Sequence, residues 1–195
     1  MPIQEMIEIR KSGNEQTKLA LLLATHCAPL IRNLAIANVL SVSVYDVNTI
    51  SLLLRGTNIK CVILAVRGKR AILYLYREDE LKAYLKKDEV LCFLEKYGYS
   101  RENYKDLLSK LSKRIRLHSD GKASYPHEIG LFLGYPIEDV AGFVENEGQN
   151  YLHMGYWKVY HNVNESMKLF EKYDEAREWA VLKVVKGESL LDIAG

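Results

Sequence analysis

Cys27, His127 and Glu128 are the residues whose types suit covalent chemistry. Cys27 follows a predicted helix and precedes Pro29, where a new helix is expected. A thiol at a helix N-terminus is acidified, and the thiolate is the nucleophile. His127 is a candidate base for it, with Glu128 holding the imidazole, in the thiol–imidazole–carboxylate manner of cysteine nucleophiles. Each residue also has a plainer reading. A free cysteine is commonly a small buried hydrophobe. Glu128 falls in the first turn of a helix opened by Pro126, where a carboxylate serves as a cap.

A second set suits binding. Tyr125, Tyr135, Tyr156 and Trp157 crowd into one stretch of a chain with 13 tyrosines, and His26 stands beside Cys27 in an earlier motif. Side chains with an apolar body and a polar tip commonly line ligand pockets, and they equally edge a core. Metal chemistry is not expected. His26, Cys27, His127, Glu128 and His153 show none of the HxxxH, HExxH or CxxC spacings that place ligands on one metal. There is no Walker loop and no GxGxxG after a strand, so the sequence implies no particular cofactor.

The elements that must position these residues read as follows. The segment from Asn14 to Thr25 is a predicted helix with Leu19, Leu22 and Leu23 on its apolar face. "NVLSVSVYDV" from Asn38 is a predicted strand, and Asp46 to Leu54 a short helix. "CVILAV" and "AILYLY" form a hairpin through "RGKR", with Gly68-Lys69 as a type II′ turn. Both runs are almost continuously apolar, which predicts helices on both faces. "EDELKAYLKK" and "DEVLCFLEKYG" are short helices, the second stopped by Gly98. "SRENYKDLLSKLSKRIR" is a longer one, capped by Ser100, with Tyr104, Leu107, Leu108, Leu111 and Ile115 on one side. Two short helices follow, one from Pro126 to Leu133 ended by Gly134, one begun by Pro136 and closed by Gly148. "GYWKVY" is a predicted strand of the hairpin sheet, and the chain closes with a strong helix capped at Asn162 or Asn164. The expected fold is therefore α+β, a single domain over 1–195 with a small, mainly antiparallel sheet, a central hairpin and several covering helices.

Charge narrows the function. With 48% hydrophobic and 27% charged residues and a formal net charge of +2, the chain looks globular and offers no bulk attraction for nucleic acid or anionic lipid. The run "EIGLFLGYPIEDVAGFVEN" has the spacing of a helix-turn-helix unit, but its second helix would present Glu138, Asp139 and Glu145 to phosphate. Nucleic acid is therefore an unfavoured partner. The basic face of Lys105, Lys110, Lys113, Arg114 and Arg116 is diluted by Glu102 and Asp106. The longest early apolar run, Leu19 to Ala24, is far short of the roughly 20 residues of a membrane span. Three scattered cysteines and no signal peptide point to a reducing, cytoplasmic setting.

Three motifs carry a resemblance. "HCAP" at His26–Pro29, "PHEIGLFLGYP" at Pro126–Pro136 and "GYWKVY" at Gly155–Tyr160 resemble an uncharacterised bacterial family known as domain-of-unknown-function family 3793. The resemblance covers roughly Leu22 to Tyr173. It implies a cytoplasmic bacterial protein and no assigned activity, cofactor or catalytic residue. Three functional classes stay open. One is a small-ligand-binding or accessory protein with a pocket near "HCAP" and "PHEIGLFLGYP". Another is a thiol-dependent enzyme using Cys27 with His127. The third is an interaction or regulatory module, meeting a protein partner or a second copy of itself through the two-helix unit or the basic helix.

Overall fold

One strand divides the interior. The computed structural model describes residues 2–101 and 103–194, and at its centre lies β3 (Arg70–Arg77), flanked by β1 (Ala37–Ser43) and β2 (Ile59–Arg67) in the order β1-β3-β2, all antiparallel. Gly68, at φ 57°, supplies the positive dihedral of the turn between β2 and β3. Successive side chains of a strand point to opposite faces. Ala71, Leu73 and Leu75 accordingly enter one core while Tyr74 and Tyr76 enter another.

Helices cover both faces, as the apolar hairpin predicts. The first core is closed by α1 (Ile3–Ser12), α2 (Glu15–His26), α3 (Ala28–Ile31), α4 (Val47–Leu53), α10 (Val163–Val185) and α11 (Leu190–Ile193). The second is closed by α5 (Glu78–Leu85), α6 (Asp88–Glu95), α7 (Tyr104–Ser119), α8 (Ile129–Phe132) and α9 (Ile137–Glu145). The fold is thus α+β, a small antiparallel sheet between two helical layers. The cover is incomplete at β2, an edge strand that leaves Ile63 and Val66 exposed. Its pairing with β3 skips Leu64, whose carbonyl instead accepts a 2.6 Å bond from Ser112 Oγ on α7. An irregularity in the edge thereby becomes an anchor for a helix. No described helix is long and apolar enough to cross a membrane.

Several local expectations are corrected. "GYWKVY" does not join the central sheet. It supplies β5 (Lys158–Val159), which pairs with β4 (His153–Met154) in a separate two-stranded ribbon. That ribbon packs Trp157 and Val159 against Phe170 and Tyr173 of α10. The helix after Pro126 starts only at Ile129. Pro126 to Glu128 form a tight turn, with Ile129 N–H donating to Pro126 O. Asn103, not Ser100, caps α7, accepting from the N–H groups of Lys105 and Asp106. Asn162 stands at the start of α10 at φ 49° without a side-chain capping bond. Glu102 lies outside the described residues.

Arg77 ties the sheet to the first helical layer. It is buried at 5% exposure, with Nε 3.0 Å from Leu30 O and Nη2 3.1 Å from Ile31 O. These carbonyls close α3, where unpaired C=O groups and the negative end of the backbone dipoles welcome a cation. The end of the "HCAP" helix is therefore held by a guanidinium from β3. Arg77→Met removes the guanidinium donor from both carbonyls, leaving Leu30 O with backbone donors alone, and urea denaturation is expected to show a loss of roughly 2–4 kcal/mol. Arg77→Lys should recover little of it, because a single ammonium lacks the fork that reaches both oxygens.

Candidate functional site

Two of the three motifs meet around one cleft. Its volume is about 330 Å³, and its lining runs from Tyr125 through Tyr135, along Asp139, Val140 and Phe143 of α9, and over Met154 to Lys158 of the β4–β5 ribbon. Two bare glycines let these segments close. A Cβ on Gly130 would stand 2.7 Å from Val140 Cγ2, and one on Gly155 would stand 2.3 Å from the Phe170 ring.

Asp139 holds the ribbon to α9. The side chain is 2% exposed. Oδ2 accepts from Trp157 Nε1 at 2.7 Å, and Oδ1 accepts from the N–H groups of Tyr160 at 2.7 Å and His161 at 2.9 Å. These donors and the first turn of α9 offset the cost of burying a carboxylate. The sequence places Asp139 in that turn only as a dipole partner. Its role as a clamp depends on donors that arrive about twenty residues later.

The walls are aromatic. Tyr135 stacks on Trp157 with centroids 4.7 Å apart and planes at 25°, and Phe170 meets Trp157 edge-on at 4.6 Å. Opposite in the chain, His127 lies between Tyr125 at 5.3 Å and Phe143 at 4.9 Å, and His118 meets the far side of Tyr125 at 5.1 Å. The polar tips differ in their commitments. Tyr156 donates to Asp174 at 2.9 Å, and Lys158 Nζ donates to Gly148 O at 2.6 Å while lying over the Tyr151 ring. The hydroxyls of Tyr125 and Tyr135 and the ring nitrogens of His127 have no hydrogen-bond partner among the described residues. Burial pushes Tyr135 up to about 12, and burial with its bond to Asp174 does the same for Tyr156. Tyr125 is raised by burial and then by the Glu128 charge. At neutral pH these hydroxyls are neutral donors.

Four of the five expected binding residues, Tyr125, Tyr135, Tyr156 and Trp157, line this cleft, and so does His127. His26 does not. It is exposed at the end of α2, where its carbonyl accepts from Asn38 Nδ2. Glu128 is fully buried, and among the described residues its carboxylate neither caps α8 nor hydrogen-bonds His127. It pairs with Arg114 and accepts from Tyr99 Oη at 3.0 Å. That pair draws Arg114 out of the basic face and pins the Pro126 turn to α7. Phe143 and Lys158, which the sequence reading passes over, join the lining.

Cys27 belongs to the opposite face of the sheet. It is 1% exposed in the core of α2, α3 and α10. Its sulfur meets Asn38 Nδ2 at 3.6 Å, and no hydrogen bond joins it to His127 among the described residues. Burial, then the neighbouring Cys61 thiol, raises Cys27 far above the ordinary thiol range, and the Asn38 contact offsets only part of this. A helix terminus four residues long does not outweigh that desolvation. Among the described residues, no three His, Cys, Asp or Glu side chains converge as a metal site would need.

Residues 23–194 match the model of a family described as "Protein of unknown function (DUF3793)", and the chain belongs to that family. No curated protein and no solved structure matches it.

Two outcomes follow from this geometry. Iodoacetamide at neutral pH should label exposed Cys92 first. Cys61, half-buried and pushed up to about 11, should follow slowly, and Cys27 only after unfolding; peptide mapping reads the order, and early labelling of Cys27 would restore the thiol reading. Asp139→Ala should cost roughly 2–4 kcal/mol in urea denaturation, since it strands the buried Trp157 indole N–H and two partly buried backbone donors, and should shift the fluorescence of Trp157 in a Trp179→Phe background.

Proposed function

We propose that this member of the family is a binding protein for a small organic ligand, and that the ligand occupies the aromatic cleft between the Pro126 turn, α9 and the β4–β5 ribbon. One observation carries the reading: an apolar, largely aromatic concavity whose lining includes Tyr125, Tyr135 and His127, side chains whose polar tips have no hydrogen-bond partner among the described residues. Ligand sites combine such walls with a few polar groups that orient the bound molecule, and about 330 Å³ lies at the small end of their range. The walls are braced by the hydrogen bonds of Asp139, by the Glu128–Arg114 pair behind them and by the two close-packed glycines. This bracing favours a preformed site over one that must order itself on binding.

The reading differs from the sequence expectation in one respect. The pocket is built from "PHEIGLFLGYP" and "GYWKVY", while "HCAP" is packed under Arg77. Its odd, scattered cysteines favour a reducing compartment such as the cytoplasm. A catalytic role for Cys27 draws no support from its burial.

The test is a thermal-shift screen of small organic compounds against the intact protein. Compounds that raise Tm should lose at least about tenfold in affinity, close to 1.4 kcal/mol, in Tyr135→Ala and His127→Ala. They should keep their affinity in Cys92→Ser. Hits that stabilise all three variants alike would place the ligand elsewhere and end the cleft reading.

A further inference from the structure

The charge balance of the cleft names a ligand class. Among the described residues, Asp139 is the one carboxylate in the lining, and both its oxygens are taken by Trp157, Tyr160 and His161. Glu128, the next acid along the turn, is spent on Arg114 and Tyr99. Lys158 is different. Its one hydrogen bond goes to a neutral carbonyl, and among the described residues no carboxylate stands within ion-pair distance of it. An ammonium has three N–H groups, so two remain. The faces of Tyr151 at 4.7 Å and Phe143 at 5.8 Å confine the ammonium by cation–π attraction. The other free polar tips, the Tyr125 and Tyr135 hydroxyls and an imidazole N–H, are donors as well. The lining thus offers flat aromatic faces, several donors, one unneutralised cation and no free acid.

We infer that the ligand is a planar aromatic or heteroaromatic acid, its ring against the Tyr135–Trp157 and His127 walls and its carboxylate on Lys158. The inference rests on the cleft reading above and adds the sign and shape of the molecule. A carboxylate accepting from an ammonium forms a charge-assisted bond, stronger than a neutral one. Ring stacking supplies orientation that a saturated acid of the same charge lacks. Lys158 is then the specificity residue, selecting an anion over its neutral isostere.

The indole N–H of Trp157, bonded to Asp139, reports on the site directly. The chain has two tryptophans, so ¹H–¹⁵N spectra show two indole signals, and Trp179→Phe assigns them. Four probes are titrated: 2-naphthoate, 2-naphthamide, protonated 2-naphthylmethylamine and cyclohexanecarboxylate. The naphthoate is expected to move the Trp157 signal at the lowest concentration. Lys158→Met should weaken it roughly five- to tenfold while leaving the amide unchanged, and Lys158→Arg should retain it. An unshifted Trp157 signal in the ligand-free variants checks that the site is intact. If the amide or the ammonium binds as tightly as the naphthoate, or Lys158→Met changes nothing, the acid is wrong while the cleft stands. If cyclohexanecarboxylate matches the naphthoate, the aromatic requirement falls. If none of the four moves Trp157, both the ligand class and the cleft reading are overturned.

Discussion

A buried carboxylate with three N–H donors holds together the half of this molecule that contains the aromatic cleft. The β4–β5 ribbon pairs two residues with two, too few for independent stability in water. Asp139 supplies what the ladder lacks. It grips the ribbon through the Trp157 indole and grips the chain beyond it through the backbone of Tyr160 and His161. The indole held in this way is one wall of the cleft, and the stack of Tyr135 upon it is another part of the same wall. Because a buried carboxylate is costly unless its lone pairs are filled, each of the three donors offsets part of that cost.

The central strand explains why the motifs part company. Alternate residues of β3 serve two cores, so segments that approach the sheet from its two sides do not share a site. "HCAP" lies on the side of α2 and α10, secured by the Arg77 guanidinium at the end of α3. "PHEIGLFLGYP" lies on the other, secured by Glu128 to Arg114 and by Tyr74, whose hydroxyl donates to Phe132 O at 2.5 Å. The residues best suited to covalent chemistry are thus spent on structure. Desolvation raises the thiol of Cys27, and an ion pair occupies Glu128. Among the described residues, His127 with Tyr125 and Tyr135 keeps polar tips without a hydrogen-bond partner.

Much of the architecture was legible in the chain. The apolar hairpin with glycine at its turn, the helical periodicities and the punctuation by Pro126, Gly134 and Pro136 all reflect local physics. Backbone restriction and one-sided burial act within a few residues. Short elements were less legible. The strand in "GYWKVY" has real β character, but a two-residue ladder carries no signal of which sheet it belongs to. The α1 helix, mostly exposed, shows too little apolar patterning to announce itself.

The sequence by itself determined the fold class, the order of most elements and the crowding of Tyr125, Tyr135, Tyr156 and Trp157 near one another, because each depends on propensity and periodicity along the chain. Tertiary structure alone decided that Asp139 is a clamp, that Glu128 faces Arg114 and not His127, that Cys27 is sealed on the far face, and that Lys158 stands without a carboxylate partner among the described residues. Each of those depends on which donors, charges and apolar surfaces arrive from distant segments. Desolvation and hydrogen bonding are set by those neighbours in space, which no local pattern encodes.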